Sequence, residues 1–168
     1  MTNQTESFDG FVERRQLVDW SAAYWAGLLS GLAFLSMYLV VAPLTNGSSL
    51  NQFLRYVASL LTGLSAIEEG IGPGLTLGAL IAHLIISFIF ALLIVIVLHR
   101  WGFIVGILLG AVLGLIVYAI TIFPASTYFP WFSEINDWFL ILTHAVFGAA
   151  AGGVYEFLEV EEYELIQE

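Results

Sequence analysis

Four long apolar stretches dominate the chain, running from about Trp20 to Ala42, Leu75 to Leu98, Gly102 to Phe123 and Trp138 to Tyr155. None of them contains Asp, Glu, Lys or Arg. A hydrocarbon core of roughly 30 Å takes about 20 apolar residues to cross as a helix, so each stretch predicts a transmembrane helix. The second and third are separated only by His99-Arg100-Trp101, a connection short enough to demand antiparallel neighbours. The segment from Thr45 to Gly74 is too long for a bare turn. Within it, Leu50 to Leu64 (LNQFLRYVASLLTGL) repeats its apolar residues at helical spacing, with Asn51, Gln52, Arg55 and Ser59 off that face. That pattern predicts a short helix lying on the outer surface or over the mouth of the bundle. Asn46 to Ser49 forms a turn before it, and Gly70-Ile71-Gly72-Pro73-Gly74 breaks the helix after it.

Tryptophan and tyrosine mark the boundaries, since their amphipathic rings prefer the headgroup level. Trp20, Tyr24 and Trp25 open the first span, Trp101 opens the third, and Tyr128, Trp131 and Trp138 crowd the connection before the fourth. A secretory signal has an apolar run of about 7–15 residues behind a basic leader. Here the run is longer and its leader carries Glu6, Asp9 and Glu13, so the first span reads as a retained helix. With four spans, Arg14, Arg15 and Arg100 fall on one side and Arg55 on the other. Positive charge favours the cytoplasm, which places both termini inside.

Composition agrees with a membrane body. Hydrophobic residues make up 60% of the 168 and charged residues 11%, against about 45–50% and about 25% in ordinary soluble chains. With no cysteine, disulfides, thiolate metal sites and cysteine nucleophiles are excluded. Four arginines and no lysine supply no basic patch for nucleic acid. The net charge of −10 gathers at the end, where Glu156, Glu159, Glu161, Glu162, Glu164 and Glu168 lie. An acidic tail on a membrane body accounts for the number, as would the acidic surface of a halophile.

Small residues recur at every fourth position: Gly102, Gly106, Gly110 and Gly114 in the third span; Ala23, Gly27 and Gly31 in the first; Gly70, Gly74, Gly78 and Ala82 approaching and entering the second; His144, Gly148 and Gly152 in the fourth. A spacing of four puts them on one helix face, where missing side chains let backbones approach. Gly27, Gly31, Gly78, Gly102, Gly106, Gly110, Gly114, Gly148 and Gly152 are therefore the expected helix-packing residues. The halves also match. Trp25 to Gly31 with Tyr38 and Pro43 answers Val105 to Gly110 with Tyr118 and Pro124, and His83 answers His144. The fold class that follows is an all-α, integral membrane four-helix bundle, a duplicated antiparallel helical hairpin with a short surface helix in its first outer connection. Residues 1–19 are a cytoplasmic amino-terminal segment, 20–155 the membrane domain and 156–168 an acidic cytoplasmic tail.

Candidate chemistry is sparse. An intramembrane histidine carries a functional hypothesis by default. His83 shares a face with Ala79, Ser87 and Ala91, and His144 with Gly148 and Gly152. They could ligate a haem or a chlorophyll-type pigment; the expectation is instead hydrogen bonding between helices, with no cofactor and no metal. Glu68, Glu69, Glu134 and Asp137 precede helix amino termini, where the helix dipole favours them. No serine lies in a nucleophile motif and no glycine loop precedes a lysine, so no enzyme is expected. The tail mixes its acids with Phe157, Leu158, Val160, Tyr163, Leu165 and Ile166, which suits docking on a cytoplasmic partner or a continuation of the fourth helix along the membrane.

His144-Ala-Val-Phe-Gly-Ala-Ala-Ala-Gly-Gly-Val-Tyr155 resembles the last helix of small uncharacterised four-span prokaryotic membrane proteins. The overall build is similar to the cofactor-free accessory subunits of quinol-oxidising electron-transfer assemblies of the alternative complex III type. That resemblance implies a non-catalytic subunit in a prokaryotic plasma membrane, surrounded by lipid and other transmembrane subunits. A haem- or pigment-binding protein using His83 and His144, or a small permease or channel, are the alternatives. The topology is checked by cysteine labelling. A cysteine at Ser126 should react with an impermeant thiol reagent on intact cells and one at Gln167 should not; the reverse pattern would invert the arrangement.

Overall fold

Inside a bilayer every backbone N–H and C=O has to be satisfied within the protein, which turns long apolar runs into helices. A computed structural model describes residues 13–45, 47–99, 101–135, 137–160 and 163–166. It contains four helices long and apolar enough to cross a membrane, making the chain a multi-pass membrane protein. The first span is α1 (Trp20–Ser36), continued through a π-helical turn (Met37–Val41) and α2 (Ala42–Thr45). The surface segment forms α3 (Leu50–Thr62) and the single turn α4 (Ser65–Glu68). The other spans are α5 (Pro73–Leu98), α6 (Phe103–Tyr128) and α7 (Trp138–Leu158), with a 3-10 turn, Pro130–Ile135, before the last.

Local chemistry explains the starts. Asp19 caps α1 by accepting from the N–H groups of Ser21 and Ala22, Ser49 caps α3 through Gln52, and Asp137 caps α7 through Leu140. Pro73 stands in the first turn of α5, where its missing N–H costs nothing.

The carboxyl-terminal ends of three spans lie beyond the sequence expectation, and the second span starts two residues early, at Pro73. The first span passes Ala42 and runs to Thr45 despite Pro43, and the third passes Phe123 and runs to Tyr128 with Pro124 inside it. Proline removes a helix hydrogen bond and crowds the carbonyl four residues earlier. At Pro43 the helix widens just beforehand, with the N–H of Ala42 donating to the Met37 carbonyl. At Pro124 nothing in the structure explains the tolerance. The longer α6 also takes in Ser126, whose hydroxyl is buried, so the exposed Tyr128 becomes the better labelling position. The fourth span continues to Leu158, taking the first residues of the expected tail into the helix.

Beyond it, β2 (Tyr163–Ile166) pairs antiparallel with β1 (Glu13–Gln16), so the two ends lie on one side of the bundle. The backbone of 163–166 thus pairs with the chain's own amino-terminal segment instead of lying along the membrane. Asp19 reinforces this closure: its second carboxylate oxygen accepts from the Val160 N–H at 3.1 Å, and its own N–H donates to the Tyr155 hydroxyl. The N–H of Ala22, against burial and with help from Val160 and Ser21, holds the Asp19 carboxyl below its ordinary range.

α7 is the centre of the bundle, packed on α6 along its length, on α1, and more thinly on α5. The α6–α7 seam is built from backbone. A Cβ on Gly148 would come within 2.7 Å of Gly114 Cα, one on Gly152 within 2.8 Å of the Gly106 carbonyl carbon, and one on Gly110 within 3.1 Å of the Gly148 carbonyl carbon. The α1–α5 seam is built differently: Gly27 receives the Phe88 ring and Gly31 the Ser87 and Leu84 side chains. The chain turn between α5 and α6 makes them sequential neighbours, yet they barely touch.

Two expected packing residues do not pack. Gly78 has nothing within 4 Å of a Cβ built on it, because its face of α5 points away from the bundle. Gly102 lies outside the helix as the cap of α6, with φ +77°, a conformation that favours glycine, and also meets nothing within 4 Å. The Glu156 side chain packs against Gly106, which brings the start of α6 and the end of α7 together. Gly110→Leu should force α6 off α7 and cost on the order of a few kcal/mol. Thermal unfolding in mild detergent measures it; a melting temperature equal to that of the parent would refute the seam.

Candidate functional site

The splayed arrangement of α5 and α6 leaves a cavity of about 120 Å³ in the half of the bundle under α3. Its wall is mostly aromatic and aliphatic, and its polar groups come from Tyr56 of α3, His83 and Ser87 of α5, Thr121 of α6 and His144 of α7. Ile86 of α5 and Leu60 of α3 stand at its rim and are 40% and 37% exposed, so the opening lies at the side of the bundle between α5 and α3.

Helix periodicity delivers the first pair. Ala79, His83, Ser87 and Ala91 follow one another at a spacing of four and are all buried. His83 Nε2 meets the Gly31 carbonyl of α1 at 3.3 Å and Ser87 Oγ at 3.3 Å. This is the interhelical hydrogen bond expected from the sequence. His144 differs: its Nδ1 lies 2.9 Å from the Leu140 carbonyl, so its hydrogen bond stays within α7. The expectation that both imidazoles join helices is corrected to one. What joins them is Phe34 of α1, whose ring centroid is 4.9 Å from His83 and 5.1 Å from His144. Phe53 of α3 adds an edge-on contact to His83 at 5.3 Å, and Tyr118 of α6 one to His144 at 5.5 Å.

This geometry bears on the haem and pigment reading. A macrocycle ligated by both residues would have to displace Phe34, whose ring lies against both imidazoles. The residues present therefore do not fit a shared macrocycle. Among the described residues no group of three or more His, Cys, Asp or Glu side chains could hold a metal ion.

The roof of the cavity is held by polar bonds outside the spans. The Tyr56 hydroxyl of α3 donates to Glu134 at 3.2 Å, and the Trp131 ring N–H donates to Ser59 Oγ at 2.9 Å. Burial, then the adjacent Glu134, pushes the Tyr56 phenol up to about 12, so it remains a donor at neutral pH. Ser59 is fully buried and passes its own proton to the Tyr56 carbonyl. The sequence put Ser59 on the polar face; a partner 72 residues away brings it inside. Asp137 caps α7 as expected of an acid before a helix, whereas Glu134 serves α3. Glu68 and Glu69 are exposed and line no part of the cavity. His99 bonds the Ile96 carbonyl at the helix end.

Sequence reasoning found both histidines and expected a helix on the surface or over the bundle mouth, but it missed Phe34 and the polar bonds that hold that helix in place. Phe34 sits three residues after Gly31 and four before Tyr38, a helical spacing that marks the inner face of α1. Comparison with protein-family models, curated proteins and solved structures found no match.

Tyr56→Phe should loosen the roof without disturbing the α6–α7 seam. Losing one partly buried hydrogen bond to a charged group is worth about 1–2 kcal/mol. Amide exchange in Leu50–Thr62 should speed up about tenfold while α7 stays protected; unchanged exchange in α3 would show that the bond does not hold it.

Proposed function

We propose that this chain is a non-catalytic accessory or scaffold subunit of a larger membrane complex. The supporting observation is an internal contrast. Glycines at a spacing of four on α6 and α7 are closed by each other, whereas Gly74 and Gly78 on α5 meet nothing within 4 Å. Beside them Leu77, Ile81 and Ile85 are exposed as well. A helix face built for close approach and left open suits one transmembrane helix of another chain. The face offers that partner shape, and the buried hydroxyls of Ser30 and Thr143 return to carbonyls of their own helices, Gly27 and Phe139.

The arginine split supports a reading with the paired termini in the cytoplasm and the roof helix α3 outside, and the likeness to small prokaryotic proteins supports a prokaryotic plasma membrane. The likeness in build to accessory subunits of quinol-oxidising complexes makes a bioenergetic assembly the first partner to test. A photo-crosslinking residue at Ile81, introduced in native membranes, should give one discrete protein adduct. Gly78→Leu should abolish that adduct and leave the melting temperature of the isolated chain unchanged. Adducts with lipid alone, or an adduct that survives Gly78→Leu, would overturn the assignment.

A further inference from the structure

The lateral cavity has a one-sided hydrogen-bonding character. A carbonyl oxygen only accepts, so the 2.9 Å contact between His144 Nδ1 and the Leu140 carbonyl puts the ring proton of a neutral imidazole on Nδ1. Nε2 then keeps its lone pair, and it has no hydrogen-bond partner among the described residues. By the same reasoning the Gly31 carbonyl places the His83 proton on Nε2 and leaves a lone pair on Nδ1. The Thr121 hydroxyl has spent its proton on the carbonyls of Val117, at 2.8 Å, and Tyr118, at 3.1 Å, and retains only acceptor capacity. A visitor that brings a hydroxyl donor is matched by these groups; one that brings only carbonyl oxygens sets acceptor against acceptor.

Size and wall narrow the visitor further. An apolar cavity of about 150 Å³ takes up a benzene molecule, so about 120 Å³ holds a single ring and little else. Phe34, Phe53 and Phe147 supply aromatic faces and edges around it. The opening between Ile86 and Leu60 leads sideways to the lipid, giving a hydrocarbon tail a way out. We propose that this cavity binds the hydroxylated aromatic ring of a neutral, lipid-soluble phenol, its O–H donating to His144 Nε2 and its tail leaving past Ile86 into the bilayer.

The test uses 4-hexylphenol and its methyl ether, which share shape and differ in the donor, titrated calorimetrically into the purified full chain in lipid nanodiscs. The phenol should bind about tenfold more tightly than the ether, the margin of one hydrogen bond. His144→Phe keeps the ring volume without an acceptor and should erase that preference. Ile86→Trp sits at the exposed rim, leaves the seams untouched and should weaken both compounds about tenfold or more. Equal binding of phenol and ether to the parent protein would overturn the proposal. So would affinity and preference unchanged by Ile86→Trp, which would assign the heat to partition into the bilayer. Circular dichroism establishes that each variant is folded; if His144→Phe is not, the Ile86→Trp result decides.

Discussion

Between Gly106, Gly110 and Gly114 on one helix and Gly148 and Gly152 on the other there is no room for a methyl group, and the rest of the bundle is arranged around that fact. Lipid tails are as apolar as leucine, so burying leucine against leucine gains little in a membrane. Close backbone contact gains dispersion energy, and glycine has no side-chain freedom to lose in making it. Gripped by α6 on one flank and by α1 on the other, α7 becomes the central helix. The related hairpin, α1 with α5, uses glycine for the opposite purpose, as a socket for the Phe88 and Ser87 side chains. Glycines at one spacing therefore form two kinds of seam, backbone on backbone and backbone on side chain.

That difference opens the cavity. α6 is drawn onto α7, so it cannot also close on α5, although a short turn connects them. Side chains from elsewhere partly fill the wedge that results: Phe34 from α1, Phe53 from α3 and the two imidazoles. α3 can serve as roof because its apolar face goes down while Tyr56 and Ser59 hold the 3-10 turn Pro130–Ile135 and its Trp131. The roof is tied by polar bonds and the floor by packing. Roof and floor therefore respond to different substitutions.

Much of this was legible because membrane rules are strict. An uncharged run of sufficient length has few alternatives to a spanning helix, and Asp19 and Asp137 stand where helix starts need a cap. Periodicity, however, states a face and not what the face meets. Gly78 and Gly110 have the same spacing in the sequence, and only tertiary structure distinguishes an open face from a closed seam. Local rules failed at Pro43, where a π turn absorbed a residue that ordinarily ends a helix. The histidines were found by their type and face; that they share a cavity depends on Phe34 and on the splay of α5 and α6, neither of which local spacing encodes.

The distribution of polar bonds separates folding from binding. Ser30, Ser36, Thr121 and Thr143 all turn their protons back onto carbonyls of their own helices, so they hold no helices together. Among the described side chains of the spans, the hydrogen bonds between helices are His83 with Gly31 and, at the bundle's end, Tyr155 with Asp19, and such bonds contribute only about 0.6 kcal/mol on average. Assembly of the bundle therefore rests on shape, and the glycine seams resist substitution far more than any polar group does. The lone pairs facing the cavity are left over from that scheme. Because no seam depends on them, a ligand can engage or leave His144 Nε2 without altering how α7 meets α6 and α1.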